Sequence, residues 1–281
     1  IVYYYGGRTL DLLIGDEAHS RGIPVASYLA NGNYRGTRWC RDVDLVITNS
    51  NATAGFYKTQ DNIDSITVGP FIDPSAIIAT NRLPKTVVAV NPSLAKGSAI
   101  VAALACIMER ERPDICFEIV ESRGNWESIL KSVKEKLGYP TTPLNNVIVT
   151  PNQSDMRNVY RNARIMLILS LWWESLPRVA IEALLNGIPC IGTRHGGIPE
   201  AIGAAGYTIQ LPEQIHQPPY NKIPEQSILN EIKNYICYLF DNEDAYQKQC
   251  NIAKQAASNY SLNERAKVLS AELIKIVGRR N

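Results

Sequence analysis

The stretch that decides the fold runs from residue 165 to residue 200 and reads IMLILSLWWESLPRVAIEALLNGIPCIGTRHGGIPE. It opens with an apolar run at Ile165 to Leu169, continues through a helical pattern at Pro177 to Asn186, and ends with a second apolar run at Cys190 to Gly192. Uniformly apolar strands separated by a helix are typical of a parallel sheet that is covered on both faces. This stretch therefore predicts a doubly wound α/β domain.

The same alternation extends away from this stretch in both directions. Further strands are predicted at 86–90, 115–121, 147–150 and 208–211, with helices at 98–110, 126–137 and 155–161. Toward the N-terminus the predicted elements are strands at 1–5, 24–29 and 44–48 and a helix at Thr9 to Arg21. Three helices are predicted to close the chain, near 226–241, 244–259 and 262–277. We find no internal repeat.

A proline-punctuated stretch separates two regions of this alternation. Pro70, Pro74 and Pro84 lie within a short segment that reads as an interdomain linker. We place the boundary near residue 83, so that residues 1–83 form a partial N-terminal domain and residues 84–261 form the second domain. The chain begins on a strand-like run without an initiator Met, so the N-terminal domain is expected to be incomplete.

Composition and charge exclude several classes of protein. The 281 residues are 45% hydrophobic and 20% charged with a formal net charge of +2, so no overall basic field points to nucleic acid. The longest apolar runs are far shorter than the roughly 20 residues that span a bilayer. The six cysteines include no C-x-x-C pair, and we interpret them as buried or inert thiols in a reducing compartment. Any anion site must be local.

The loop after the strand at 165–169 carries the first candidate site. Glu174 lies in the loop and Glu182 lies eight residues later in the following helix. Pro177 suits a first helical turn, and the free backbone amides of Leu176, Arg178 and Val179 would face outward there. Together with the helix dipole, these amides favour the binding of an anion such as a diphosphate.

Two more loops are expected at the same edge of the sheet. His195, Gly196 and Gly197 follow the next strand, where the paired glycines let the backbone approach a ligand closely. Asn91 and Lys96 follow the strand at 86–90. Because ligands bind at the carboxyl ends of parallel strands, we expect the three loops to converge on one anion.

These residues resemble family 4 of the retaining glycosyltransferases, whose GT-B fold pairs two Rossmann-like domains across a cleft. The resemblance runs over nearly all of residues 40–270 and is most specific from Glu174 to Glu200. There the E-x7-E carboxylates, the turn at 186–189 and the Gly-Gly-x-Pro-Glu segment stand in the family's order and spacing. Weaker support comes from Lys96-Gly97, from residues 44–50 and from the closing helices, of which the one near 262–281 is expected to pack back on the first domain.

The resemblance assigns roles to these residues. Glu174 would hold hydroxyls of the transferred sugar, Glu182 would accept hydrogen bonds from the ribose, and Lys96 would neutralise the departing diphosphate, so Glu174 and Lys96 are the candidate catalytic residues. The loop at Thr150-Pro151 would lie near the base. The candidate donor-binding residues are Asn91, Thr150, Pro151, Ser175, Leu176, Pro177, Arg178, Glu182, His195, Gly196 and Gly197.

The same resemblance implies the substrates. The donor would be a UDP- or GDP-linked hexose, and the acceptor would be a saccharide or a lipid-linked molecule. Neither a metal nor another cofactor is required, no nucleic acid partner is implied, and the expected location is the cytoplasm, with peripheral membrane association left open. The sequence departs from the family at Asn91, where an arginine is usual, and Arg178 or Arg194 is the candidate to supply that charge.

Plainer interpretations of the same residues remain open. Arg178 and Glu182 are four residues apart on one helix, which is also the spacing of a surface ion pair. Glu174 and Lys96 could be solvated surface residues, and His216 is expected at the surface. Other functions fit the fold, namely a nucleotide-binding protein without catalysis and a second enzyme class, a nucleotide-sugar epimerase or a phosphorylase. A dehydrogenase is disfavoured because no G-x-G-x-x-G follows a first strand.

Overall fold

Two parallel sheets organise the chain in the computed structural model, which describes residues 1–8 and 10–278. In chain order the strands and α-helices are β1 (Val2–Tyr5), α1 (Asp11–Ser20), β2 (Val25–Leu29), β3 (Leu45–Thr48), α2 (Asn51–Asp61), β4 (Ile66–Thr67), β5 (Thr86–Val90), α3 (Ser98–Glu111), β6 (Cys116–Val120), α4 (Trp126–Leu137), β7 (Val147–Thr150), α5 (Arg157–Asn162), β8 (Ala163–Ile168), α6 (Arg178–Leu185), β9 (Cys190–Thr193), α7 (Ile198–Ile202), β10 (Gly206–Ile209), α8 (Gln226–Asp241), α9 (Glu243–Ala257) and α10 (Leu262–Gly278).

Two predicted helices reach residues that the structure does not describe. The helix expected from Thr9 to Arg21 forms over Asp11–Ser20, and Thr9 lies outside the described residues. The closing helix expected near 262–281 forms over Leu262–Gly278, and residues 279–281 likewise lie outside the described part.

The first compact unit holds a four-stranded sheet in the order β1-β2-β3-β4, with all neighbours parallel. It comprises Ile1–Ile72, the short segment Trp173–Leu176 and the chain from Asn259 onward. Helix α10 packs against one face of the sheet, where Ile276 joins a buried cluster with Ala26 and Ile47. On the opposite face Tyr57 of α2 packs with Leu29 and Val46.

The second compact unit comprises Asp73–Trp172 and Pro177–Ser258. Its six strands lie in the order β10-β9-β8-β5-β6-β7, all parallel. Numbered from β5, this is the Rossmann order 3-2-1-4-5-6. The chain reverses its direction of travel across the sheet at β5 and β8, which places the topological switch point between those two neighbours. The division of the chain into functional domains at 83 and 261 stays a prediction.

The main core lies in the second unit and is built by helix α3 more than by any other helix. Every residue of α3 from Ser98 to Met108 is buried, among them Ile100 and Leu104, and the helix packs with Val87 of β5 and Phe117 of β6. A helix that is apolar on all sides must be buried on all sides, since only burial removes so much apolar surface from water. Helix α3 starts directly behind the loop that carries Lys96 and therefore anchors that loop to the core.

Candidate functional site

Three loops meet at the carboxyl edge of the second unit's sheet and are tied to one another by hydrogen bonds. The backbone amides of Leu171 and Trp172, after β8, donate to the carbonyl oxygen of Ala95, after β5, at 2.9 and 3.0 Å. The hydroxyl of Thr193, at the end of β9, donates to the carbonyl oxygen of Ser170 at 2.7 Å. The loops that carry Lys96, Arg178 and His195 are thus fixed around the switch point.

Glycine makes the closest of these approaches possible. Gly97 has φ 76° and lies so near the neighbouring loop that a Cβ atom there would stand 1.9 Å from the carbonyl oxygen of Leu169. An L side chain is disfavoured at such a φ and cannot fit at such a distance. The half-buried Lys96 is therefore held beside β8 by its glycine neighbour.

Asn91 has a structural role at the end of β5. Its φ is 61°, in the left-handed region that asparagine tolerates better than other non-glycine residues. Its side-chain oxygen accepts a hydrogen bond from the backbone amide of Arg123 at 3.2 Å. Asn91 therefore joins the loop after β5 to the loop after β6.

Glu182 is a buried carboxylate with a donor on each oxygen. Arg178 Nε donates to Glu182 Oε1 at 2.6 Å, and the hydroxyl of Tyr160 donates to Glu182 Oε2. Only 8% of the Glu182 side chain is exposed, whereas 68% of the Arg178 side chain is exposed. Arg178 and Glu182 do form an ion pair, but it is not a surface ion pair, because its carboxylate is buried. A buried charge is stable only when it is paired and hydrogen-bonded.

The loop after β9 carries a stacked pair of imidazoles. The rings of His195 and His216 lie 4.0 Å apart between centroids with planes inclined by 23°. His216 is buried, and its Nδ1 lies 3.2 Å from the carbonyl oxygen of Leu171. The expectation that His216 lies at the surface is wrong, because the turn after β10 folds its ring beneath the loop after β8. Gly196 has φ 57° and Gly197 precedes α7, so the glycine pair serves the turn into that helix.

Thr150 and Pro151 lie farther along the same edge. Thr150 ends β7, the outermost strand, and its hydroxyl donates to Glu118 Oε1 at 2.9 Å. Glu118 is itself buried in β6 and also accepts from Thr86 Oγ1 at 3.3 Å. Two strand spacings, or about 10 Å, separate β7 from β5. Thr150 thus lies at the rim of the arrangement around Lys96, and Pro151 is exposed beyond it.

Glu174, Ser175 and Leu176 belong to the first unit. Ser175 is buried, its hydroxyl donates to the carbonyl oxygen of Ala30, and it accepts a bond from Asn49 Nδ2 at 3.1 Å. Ser50 Oγ donates to the carbonyl oxygen of Ser175 at 2.6 Å. The segment is therefore pinned beside the ends of β2 and β3 in that unit.

Tyr160 and His216 are the site residues that sequence reasoning missed. Tyr160 is fully buried on α5, and burial together with the Glu182 carboxylate raises the pKa of its hydroxyl well above the usual range. The phenol accordingly remains a hydrogen-bond donor at physiological pH. The signal that could have found it is a tyrosine on a short helix leading into a buried strand, where its hydroxyl must find a polar partner.

Within residues 1–8 and 10–278, no group of three or more His, Cys, Asp or Glu side chains is placed to hold a metal ion. None of the helices in the described residues is both long and apolar enough to cross a membrane. Cys106, Cys190 and Cys250 are buried free thiols, and Cys40, Cys116 and Cys237 are half-buried free thiols.

Comparison with known proteins finds a family match for part of the chain. Residues 96–217, which include Lys96 and the loops after β8 and β9, match the family model for glycosyl transferases group 1. A stretch of 67 residues is 40% identical to the N-acetyl-alpha-D-glucosaminyl L-malate synthase of Bacillus anthracis. That stretch spans 23% of this chain and 17% of the relative, so the match covers much less than two thirds of the relative's length.

Solved structures extend the likeness to nearly the whole chain. HepE of Anabaena, determined in complex with UDP, is similar to this chain with a TM-score of 0.72 at 16% identity. The aligned part covers 98% of this chain and 79% of the HepE chain. The pneumococcal O-GlcNAc transferase GtfA, in complex with UDP and GlcNAc, is similar to this chain with a TM-score of 0.69 at 16% identity. The aligned part covers 94% of this chain and 54% of the GtfA chain. The predicted fold class is confirmed as α/β with parallel sheets, and its structural neighbours are GT-B glycosyltransferases.

Proposed function

We propose that this chain is a retaining glycosyltransferase of family 4 that moves a hexose from a nucleotide-diphosphate sugar to a saccharide or a lipid-linked acceptor. One observation carries the proposal. The loops of Lys96, Arg178 and His195 are hydrogen-bonded into one edge at the switch point of a parallel sheet, and these three residues lie within the segment that matches the family model for glycosyl transferases group 1. The switch point is where sheets of this order bind nucleotides.

The proposed chemistry divides into donor binding and departure of the leaving group. Glu182, which is buried, accepts hydrogen bonds from the ribose hydroxyls, while Arg178 and Val179 at the start of α6 present backbone amides to the diphosphate. Lys96 neutralises the charge that grows on the diphosphate as the sugar leaves. Charge-assisted contacts of this kind contribute about 1.5 to 3 kcal/mol each when they are desolvated. Glu174 holds hydroxyls of the sugar near the anomeric carbon, and Thr150 and Pro151 lie toward the base.

UDP is the first nucleotide to test, because the HepE and GtfA structures are complexes with UDP. GDP follows as the alternative. The measurement is thermal stabilisation of the chain by UDP, GDP, ADP and TDP and by their common sugar conjugates. A ligand present at a hundred times its dissociation constant adds about 2.7 kcal/mol of stability.

The matched variant is Glu182→Gln, which keeps the shape of the side chain and an acceptor for Tyr160 but removes the charge. We expect one nucleotide to stabilise the wild-type chain and to stabilise Glu182→Gln much less. Transfer of the sugar from the matching donor to a saccharide acceptor, with release of the nucleoside diphosphate, tests turnover, and NMR of the anomeric proton in the new glycosidic linkage tests retention. A folded wild-type chain that no nucleotide stabilises would refute the proposal.

A second candidate function has its own observation. Asn91 carries no charge, is held in a left-handed conformation and uses its side-chain oxygen on the Arg123 amide. A site with less charge beside the diphosphate suits a nucleotide-binding GT-B protein that does not catalyse transfer. Binding of a nucleotide without turnover of any sugar conjugate would favour this second candidate.

A further inference from the structure

We infer that Tyr160 is a positioning residue for the donor's ribose, because its hydroxyl fixes the orientation of the Glu182 carboxylate. The inference rests on the proposed role of Glu182 in nucleotide binding. It concerns a residue that does not itself touch the nucleotide. Tyr160 would act through the hydrogen bond that it donates to Glu182 Oε2.

The two donors on Glu182 differ in how firmly they are held. Arg178 approaches Oε1 from the preceding turn of the same helix. Because its side chain is largely exposed, its hydrogen bond to the carboxylate can be replaced by a hydrogen bond to water. Tyr160 comes from a different helix and is fully buried, with no solvent to exchange into. Its own backbone is held in place, since Arg82 Nε donates to the Tyr160 carbonyl oxygen at 3.2 Å. Tyr160 is therefore the buried partner of Glu182, and Arg178 is the solvent-exposed one.

A fixed carboxylate still has acceptor sites left for a ligand. Each oxygen of an ionised carboxylate can accept two hydrogen bonds, so after one bond from Tyr160 and one from Arg178 each oxygen keeps the capacity to accept one more. Two vicinal hydroxyls bind well only when both oxygens point in a defined direction, since preorganised acceptors lose less entropy on binding. The shared plane of a ribose diol is the chemistry that such an arrangement recognises.

The test variant is Tyr160→Phe, which removes the hydroxyl and keeps the ring that fills the core. The probes are UDP and 2′,3′-dideoxy-UDP, and the corresponding guanine pair, with affinities measured by calorimetry. We expect the wild-type chain to prefer the ribonucleotide. In Tyr160→Phe the affinity for the ribonucleotide should fall by about tenfold while that for the dideoxy analogue stays within about twofold, because a misoriented Glu182 would lose about one charge-assisted hydrogen bond to the ribose.

Tyr57→Phe is the matched control. Tyr57 is also fully buried, and its hydroxyl donates to the carbonyl oxygen of Asn31 at 2.6 Å in the first unit. This variant removes a comparable buried hydrogen bond, so it should lower stability without changing the preference for the ribonucleotide. In a Glu182→Ala background, Tyr160→Phe should have no further effect on that preference, because the two residues act as one unit.

The outcomes separate this inference from the proposed function. A Tyr160→Phe chain that keeps the wild-type preference for the ribonucleotide over its dideoxy analogue would overturn the positioning role. The same conclusion would follow if Tyr57→Phe lost this preference to the same extent as Tyr160→Phe. A wild-type chain that binds UDP or GDP and their dideoxy analogues equally would overturn the roles of Glu182 and Tyr160 and leave donor binding standing. A folded wild-type chain that binds no nucleotide would overturn the inference and the proposed function together.

Discussion

The imidazole rings of His195 and His216 stack at 4.0 Å, although the two residues lie on different loops at the carboxyl edge of the same sheet. His195 follows β9, and His216 lies in the turn after β10. Because His216 is buried and is also in contact with the Leu171 carbonyl oxygen, it supports the loops after β8 and β9 together. The shape of the candidate site thus depends on a residue outside its three loops.

His216→Ala should lower the free energy of unfolding by about 1 to 3 kcal/mol, since it removes a buried stacked ring and a hydrogen bond and leaves a cavity. The measurement is urea denaturation followed by circular dichroism. His19→Ala is the control, because His19 is exposed and surface changes usually stay within about 0.5 kcal/mol. Equal stability of the two variants would show that the stacked pair does not support the loops.

The two glycines Gly97 and Gly138 test the close approach of the loops after β5 and β8. Both have positive φ, 76° and 66°, but a Cβ at Gly97 would lie 1.9 Å from the Leu169 oxygen whereas one at Gly138 meets nothing within 4 Å. Gly138→Ala should therefore cost only the strain of the left-handed conformation, about 1 to 2 kcal/mol. Gly97→Ala should cost more than about 4 kcal/mol or prevent folding. Chemical denaturation of both variants decides, and similar losses would contradict the tight contact.

Asn91→Arg restores the residue that is usual in the resembling family, and we expect it to lower stability. Arginine is less favourable than asparagine at a φ of 61°, and it cannot accept the hydrogen bond from the Arg123 amide. The expected loss is about 1 kcal/mol, whereas Asn91→Gly should lose less, because glycine also lacks the acceptor for the Arg123 amide but suits this conformation. A more stable Asn91→Arg variant in thermal unfolding would show that the backbone at 91 can adopt another conformation.

The second unit could be predicted from the sequence in most of its elements, for a physical reason. Its strands are buried on both faces and appear as short apolar runs, and α4 and α8 form with the predicted bounds. In the first unit α2 and β4 were not predicted. Helix α2 has a signal, since the Ser50 side chain caps it by accepting from the Thr53 amide at 3.0 Å, but its helical face is weakly apolar.

The residues around the candidate site show where sequence reasoning ends. The glycines could be predicted from the sequence because the local backbone conformation requires them, and the two glutamates could be predicted because their spacing matches that of the family that the sequence resembles. The partner of Glu182 could not, since Tyr160 meets it only through the packing of α5 against α6. His216 was misplaced for the same reason. Long-range side-chain contacts depend on the tertiary fold, and a lone histidine or tyrosine carries no local sign of its partner.

Cys190 gives a prediction that depends on pH. Its thiol is fully buried, and burial raises its pKa to about 12, while in the unfolded chain the thiol ionises near its ordinary pKa. Above the unfolded pKa the folded state holds a proton that the unfolded state has lost, so stability is complete below about pH 9 and falls as the pH rises toward 12. The slope from this single group is about 1.4 kcal/mol per pH unit.

Cys190→Ala should flatten this fall, so its free energy of unfolding should decline less than that of the wild-type chain between pH 9 and pH 10.5. Urea denaturation at each pH measures the difference. Cys237→Ala is the control, because Cys237 is only half-buried. Burial raises the pKa of its thiol too, but Arg112 and Lys233 act to lower that pKa.

In the native wild-type chain at pH 8, a thiol reagent should leave Cys190 unmodified until urea is added, whereas rapid labelling of Cys190 without denaturant would contradict its burial.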